Sequence, residues 1–109
     1  MRLPLQIAAR NCHISPEEDA LIRRHAQKLE AFDDRIVACR VMVETPHRHH
    51  RRGAKYVVRL DLTVPRGELV VRKTDPEVQT AIQDAFDAAR RRVKDRAQVR
   101  RRVSGARSP

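Results

Sequence analysis

Apolar and polar residues alternate from Tyr56 to Val64, with Tyr56, Val58, Leu60, Leu62 and Val64 set against Val57, Arg59, Asp61 and Thr63. A period of two marks a strand with one buried and one wet face. Pro65-Arg66-Gly67 interrupts the run, and Leu69 and Val71 then resume the apolar side, so the stretch from Tyr56 to Arg72 predicts a β-hairpin. Within its turn, proline presets φ, and Gly67 is expected to supply the positive φ of a tight reversal. A ribbon with one greasy side needs helices to cover it.

The same reading extends to the rest of the chain. Leu3, Leu5 and Ile7 alternate with Pro4, Gln6 and Ala8, which predicts a first strand, and Pro4 argues for an edge position. Ser15-Pro16-Glu17-Glu18 then carries the signature of a helix start: Ser15 as N-cap, Pro16 at the first helical position and Glu18 closing a capping box. In that helix Ile22, His25, Leu29, Phe32 and Ile36 fall within one arc, Arg23, Arg24 and Gln27 face the opposite way and Lys28 sits on the flank. His25 reads as a packing residue rather than a ligand. Asp33-Asp34-Arg35 ends the helix, and Ile36 to Glu44 predicts a strand with Val37, Cys39, Val41 and Val43 on one face.

After the hairpin, Thr74 or Asp75 is expected to cap a second helix, whose seam is Val78, Ile82, Ala85, Phe86, Ala89 and Val93. Arg90, Lys94 and Arg101 lie on one flank of that helix and Arg91 on its outer side, while Arg96 and Arg100 fall back on the apolar line. The order is therefore β-α-β-β-β-α, an α+β fold with both helices on one face of a four-stranded sheet. Residues 1–103 read as one domain and residues 104–109 as a loose, flexible tail.

Charge sharpens this picture. The 109 residues carry 24 Lys and Arg against 14 Asp and Glu, a formal +10. Most of that excess lies between Arg90 and the end, where Arg90, Arg91, Arg92, Lys94, Arg96, Arg100, Arg101, Arg102 and Arg107 face the single acid Asp95. Complementing a helix dipole accounts for two or three such charges, so the expected partner is a polyanion. No apolar run approaches a membrane span and the amino terminus has no secretory core, consistent with a cytoplasmic protein. With only Phe32, Phe86 and Tyr56 as aromatics, recognition of backbone and shape is favoured over base stacking on aromatic platforms.

Other chemistry finds little footing. Cys12 and Cys39 are too far apart in sequence for a paired motif and read as buried or strand-end thiols. The segment Pro46 to Lys55 holds His47, His49 and His50 among Arg48, Arg51, Arg52 and Lys55. It reads as a basic loop able to touch phosphate, as a passive connection or, against the repulsion of its own cations, as a metal site. There is no P-loop, Gly-x-Ser-x-Gly or His-Glu-x-x-His motif. Asp84 and Asp87 read as a solvated helix face, so neither an enzyme nor a cofactor is expected.

The chain resembles the short ribosome hibernation promoting factor and ribosome-associated inhibitor family, also described as ribosomal subunit interface or sigma modulation proteins. The likeness runs from about Leu3 to Arg96. It rests on Ala9-Arg10-Asn11 with Ile14-Ser15-Pro16, Lys28-Leu29-Glu30 with Phe32 and Asp34-Arg35-Ile36, Val64-Pro65-Arg66-Gly67-Glu68-Leu69, and Ala81-Ile82 followed by Asp87 and Arg91. The resemblance implies a fold like that of double-stranded RNA-binding domains. It also implies docking on the small ribosomal subunit where messenger and transfer RNA would lie, with inhibition of translation by occupancy and no small-molecule substrate.

The family's basic positions carry over onto Lys28, Arg91, Lys94 and Arg96, and the helical wheels add Arg24, Arg35 and Arg90 as RNA-binding candidates. The chain departs from the family pattern at Asp95-Arg96-Ala97, where a lysine-histidine-lysine run is usual, and at Gln79 and Asp33, where aromatics are usual. It shows no second domain of the kind long members use to pair ribosomes, so a short-form role is implied. A nucleoid or other DNA-binding protein would show the same net charge and is the alternative reading.

Overall fold

The computed structural model describes residues 3–33, 35–45 and 55–107, with 98–107 as backbone. Its elements are β1 (Leu5–Arg10), α1 (Pro16–Phe32), β2 (Ala38–Glu44), β3 (Tyr56–Val64), β4 (Gly67–Asp75) and α2 (Val78–Arg107), the order the alternation predicts. The four strands form one sheet in the order β1-β2-β3-β4. β1 and β2 are parallel, which requires a crossover, and α1 supplies it. The remaining pairs are antiparallel, with Leu60 opposite both Val41 and Val71.

Both helices cover the same face. Cys39, Val41 and Val43 of β2, Val58, Leu60 and Leu62 of β3, and Leu69 and Val71 of β4 are buried there together with Ile22 and Leu29 of α1 and Ile82, Ala85, Phe86, Ala89 and Val93 of α2. The α1 start is built as the sequence indicates. Ser15 Oγ accepts the Glu18 N–H at 3.1 Å, and Glu18 Oε1 accepts the Ser15 N–H at 3.0 Å, so two otherwise orphaned donors are satisfied. Glu17, Glu18 and Asp19 add negative charge at the positive end of the helix dipole.

Several expectations are corrected. In the hairpin turn Arg66, not Gly67, has positive φ (68°), and Gly67 already pairs with Val64 as the first residue of β4. Proline followed by a positive-φ residue is the type II pattern, so the left-handed position falls one residue earlier than glycine's reputation suggests. α2 begins at Val78, beyond the reach of Thr74 or Asp75 as N-cap, and Asp75 instead accepts the Glu77 N–H at 2.9 Å. Val37 is 53% exposed while its neighbour Ile36 is buried, because regular alternation starts only at Ala38. Val57, expected on the wet face, is 5% exposed, unlike Arg59 on the same face of β3.

The backbone of residues 104–107, read from sequence as part of the tail, continues α2. The histidine-rich loop at 46–54 lies outside the described residues. No helix among the described residues is long and apolar enough to cross a membrane.

Candidate nucleic-acid interface

The seam between α1 and α2 organises the cations. His25 of α1 stacks on Phe86 of α2 with ring centroids 5.2 Å apart and an interplanar angle of 13°. Burial, reinforced by the Lys28 cation, pushes the His25 imidazole below its ordinary value; Asp87 opposes this, while Arg90 and Arg24 add to it. Arg24 and Lys28 of α1 and Asp87 and Arg90 of α2 thus surround one ring pair. One to two turns further along both helices, an open cleft of about 430 Å³ is lined by Phe32, Asp87, Arg90, Arg91 and Lys94.

Spacing explains this convergence. Arg24, Lys28 and Phe32 recur at four-residue steps on α1, as do Arg90 and Lys94, and Asp87 and Arg91, on α2, so each set forms a row along its helix. Both rows border the seam fixed by the buried residues Ala26, Leu29, Phe86 and Ala89. Within the ridge Asp87 is the nearest counter-charge, and its Oδ1 accepts from Arg90 Nη2 at 3.1 Å. Among the described residues, Arg24, Lys28, Arg91 and Lys94 make no ion pair.

The other candidates lie apart. Arg35 donates from Nε and Nη2 to the two oxygens of Asp33 at 3.0 and 3.1 Å, in the turn after α1. Arg96 is half-buried and donates from Nη2 to the Pro65 carbonyl, tying α2 to the hairpin turn as its place on the apolar line implies. Arg92, not among the candidates, donates from Nη1 to the Val70 carbonyl at 2.7 Å and so covers part of the β4 edge.

Two cleft residues were not assigned to the site from sequence. Phe32, which the helical wheel puts on the apolar arc, is 47% exposed. Its signal was available in the four-residue step from Lys28. Asp87 read as a solvated acid and proves to stand inside the cationic cleft.

Neither thiol is poised as a thiolate. Burial pushes Cys39 up to about 12 and raises Cys12, whose Sγ donates to the Val43 carbonyl at 3.4 Å. No cluster able to hold a metal occurs among the described residues.

Residues 5–101 match the family described as Sigma 54 modulation protein / S30EA ribosomal protein. The fold is similar to a ribosomal subunit interface protein from Coxiella burnetii, with a TM-score of 0.76 and 10% identity over 88% of this chain and 99% of that one. It is also similar to the Protein Y N-terminal domain of Thermus thermophilus, with a TM-score of 0.69 and 19% identity over 87% and 98%. No curated protein sequence matches the chain.

Proposed function

The chain belongs to the Sigma 54 modulation protein / S30EA ribosomal protein family, and from that premise we propose that it docks on the small ribosomal subunit in the channel for messenger and transfer RNA. There it inhibits translation by occupancy and promotes hibernation in the cytoplasm. The family is one of ribosome-associated modulators, not enzymes.

The observation that carries this reading is the ridge of Arg24, Lys28, Arg90, Arg91 and Lys94 along the α1–α2 seam, with Asp87 as the acid lining its cleft. Guanidinium and ammonium groups set on two rigid helices match the spaced phosphates of folded RNA, and arginine holds phosphate oxygens in a bidentate fork. Arg35, in the turn after α1, and Arg96, tied to the hairpin turn, are secondary candidates apart from the ridge.

Equilibrium binding to purified small subunits at increasing salt tests the reading. About five phosphate contacts predict a slope of log K against log salt of roughly −3.5 to −4.5. A slope near zero, or equal affinity for duplex DNA, contradicts it.

A further inference from the structure

Phe32 has no explanation within the fold. It is 47% exposed and is not among the partly buried apolar residues that pack against the core. The other aromatics, Phe86 and Tyr56, are buried or half-buried in or against that core. A phenyl ring half in water gives up much of the free energy its burial would contribute, and a polar residue at the end of α1 would serve the helix as well. The ring instead forms one wall of the cleft whose other walls are Asp87, Arg90, Arg91 and Lys94.

We propose that this cleft receives a single unpaired nucleotide of RNA, with its base stacked on Phe32 and its flanking phosphates held by Arg91 and Lys94. The inference rests on the ribosomal reading above and specifies how one part of the ridge is used. At about 430 Å³ the cleft falls within the range of roughly 300–1,000 Å³ typical of small-ligand sites. Its charge is complementary to a phosphodiester, because Arg91 and Lys94 make no ion pair among the described residues. Arg90 is already engaged by Asp87 Oδ1.

Asp87 argues for a nucleotide over a bare phosphate. A carboxylate within the cleft repels an inorganic anion, yet it is an acceptor for the amino and imino donors on a base edge. Unpaired bases are recognised in this way, by stacking on an aromatic ring or a guanidinium plane and by hydrogen bonds along their edges. The neighbouring arginines supply the second stacking surface. A stacked nucleotide would also give the protein a preference for unpaired over helical RNA that a ridge of cations alone does not provide.

The test uses the full chain, its Phe32→Leu and Phe32→Trp variants and an Arg91→Ala, Lys94→Ala double variant. Each is titrated against small subunits and against a short unstructured RNA carrying 2-aminopurine, whose fluorescence is quenched by stacking. Phe32→Leu should leave the melting temperature unchanged and weaken oligonucleotide binding by about 5- to 100-fold. It should abolish the quenching and leave the salt slope intact, since the phosphate contacts remain; Phe32→Trp should retain affinity and quenching.

If Phe32→Leu binds the oligonucleotide and the subunit like the parent while the double variant does not, the stacking proposal is wrong and the ribosomal reading stands. If Phe32→Leu weakens subunit binding alone, the occupant is a ribosomal protein segment and the nucleotide proposal is overturned. If neither Phe32→Leu nor the double variant alters subunit binding, the ribosomal reading of this ridge fails as well.

Discussion

Both faces of the molecule carry arginines, but they treat the charge differently. On the outer face of the sheet, cations and acids are interleaved. Arg10 stands opposite Glu44 and Arg40 opposite Asp61 in the strand registers, and Arg59 bonds Asp61 at 2.9 Å. Arg40 also reaches Gln6 at 3.3 Å, while Glu68 adds a further acid on β4. Arg72, facing Arg59 across the β3–β4 register, is the exception.

On the helical side, Arg24 and Lys28 lie one turn apart, as do Arg90 and Lys94, and Asp87 is the acid between them. Opposite charges across strands stabilise a sheet, so the outer pattern is explained by folding alone. Like charges at four-residue steps destabilise a helix by about 0.2–0.5 kcal/mol per pair, so the ridge is charge the fold would do better without. A phosphate approaching the sheet meets a carboxylate beside most of the cations, Arg72 excepted, whereas one approaching the ridge meets a largely uncompensated positive field.

The harshest way to erase this difference is to loosen the seam that holds the two rows together. Phe86 is 2% exposed and carries the His25 stack, so Phe86→Ala should cost about 3–5 kcal/mol of stability by chemical denaturation. It should also abolish subunit binding while leaving every ridge cation in the sequence. Retained binding at undiminished stability would mean that the rows do not depend on the seam.

A smaller effect separates turn strain from turn composition, at the end of the sheet that Arg96 ties to α2. Arg66→Val places a β-branched residue at positive φ and should destabilise by about 1–2 kcal/mol. Gly67→Ala should change stability by under about 0.5 kcal/mol, because its φ is ordinary and a Cβ there meets nothing within 4 Å. The reverse order in thermal melts would return the left-handed position to Gly67.

The mildest effect is on pH dependence. The folded His25 lies below its ordinary value of 6.5, so the unfolded chain takes up its proton first as pH falls. The stabilisation is complete above about 6.5 and is lost as pH drops from there through the folded value. Between pH 7 and pH 5 the parent should therefore lose more stability than His25→Phe, which keeps an aromatic stack without a titrating group. Identical losses would show that the imidazole is not held below its ordinary value.

The elements were legible because their signals are local. Alternation from Tyr56 to Val64 and the Ser15–Glu18 box depend on neighbours in sequence, and they form β3 and the start of α1. The misjudged positions depend on the third dimension. Val57 is buried although it lies on the outer face with Arg59, because alternation reports a face but not a depth. Arg66 takes the left-handed conformation because the Val64–Gly67 pairing leaves it as the second turn residue, which composition alone does not reveal.

The candidate site was legible as rows of cations on two helices and illegible as a cleft. Phe32 sits roughly 80° from Ile22 on a wheel of 100° per residue, at the edge of the apolar arc. Whether an edge residue is buried depends on the neighbouring helix. Opposite it α2 presents Arg91 and Lys94, not an apolar side chain, and the ring stays exposed.

The most direct test of the central claim compares one triple substitution on each face. Replacing Lys28, Arg91 and Lys94 together by Ala should weaken small-subunit binding by about 100-fold or more at physiological salt, given roughly 1.5–3 kcal/mol for each charge-assisted contact and partial compensation by neighbours. Replacing Arg40, Arg59 and Arg72 together should alter it by less than about threefold, because acids interleaved on the sheet face leave little net field to lose. Equal losses from the two triples, or a larger loss from the sheet face, would contradict the assignment of ribosome binding to the α1–α2 ridge.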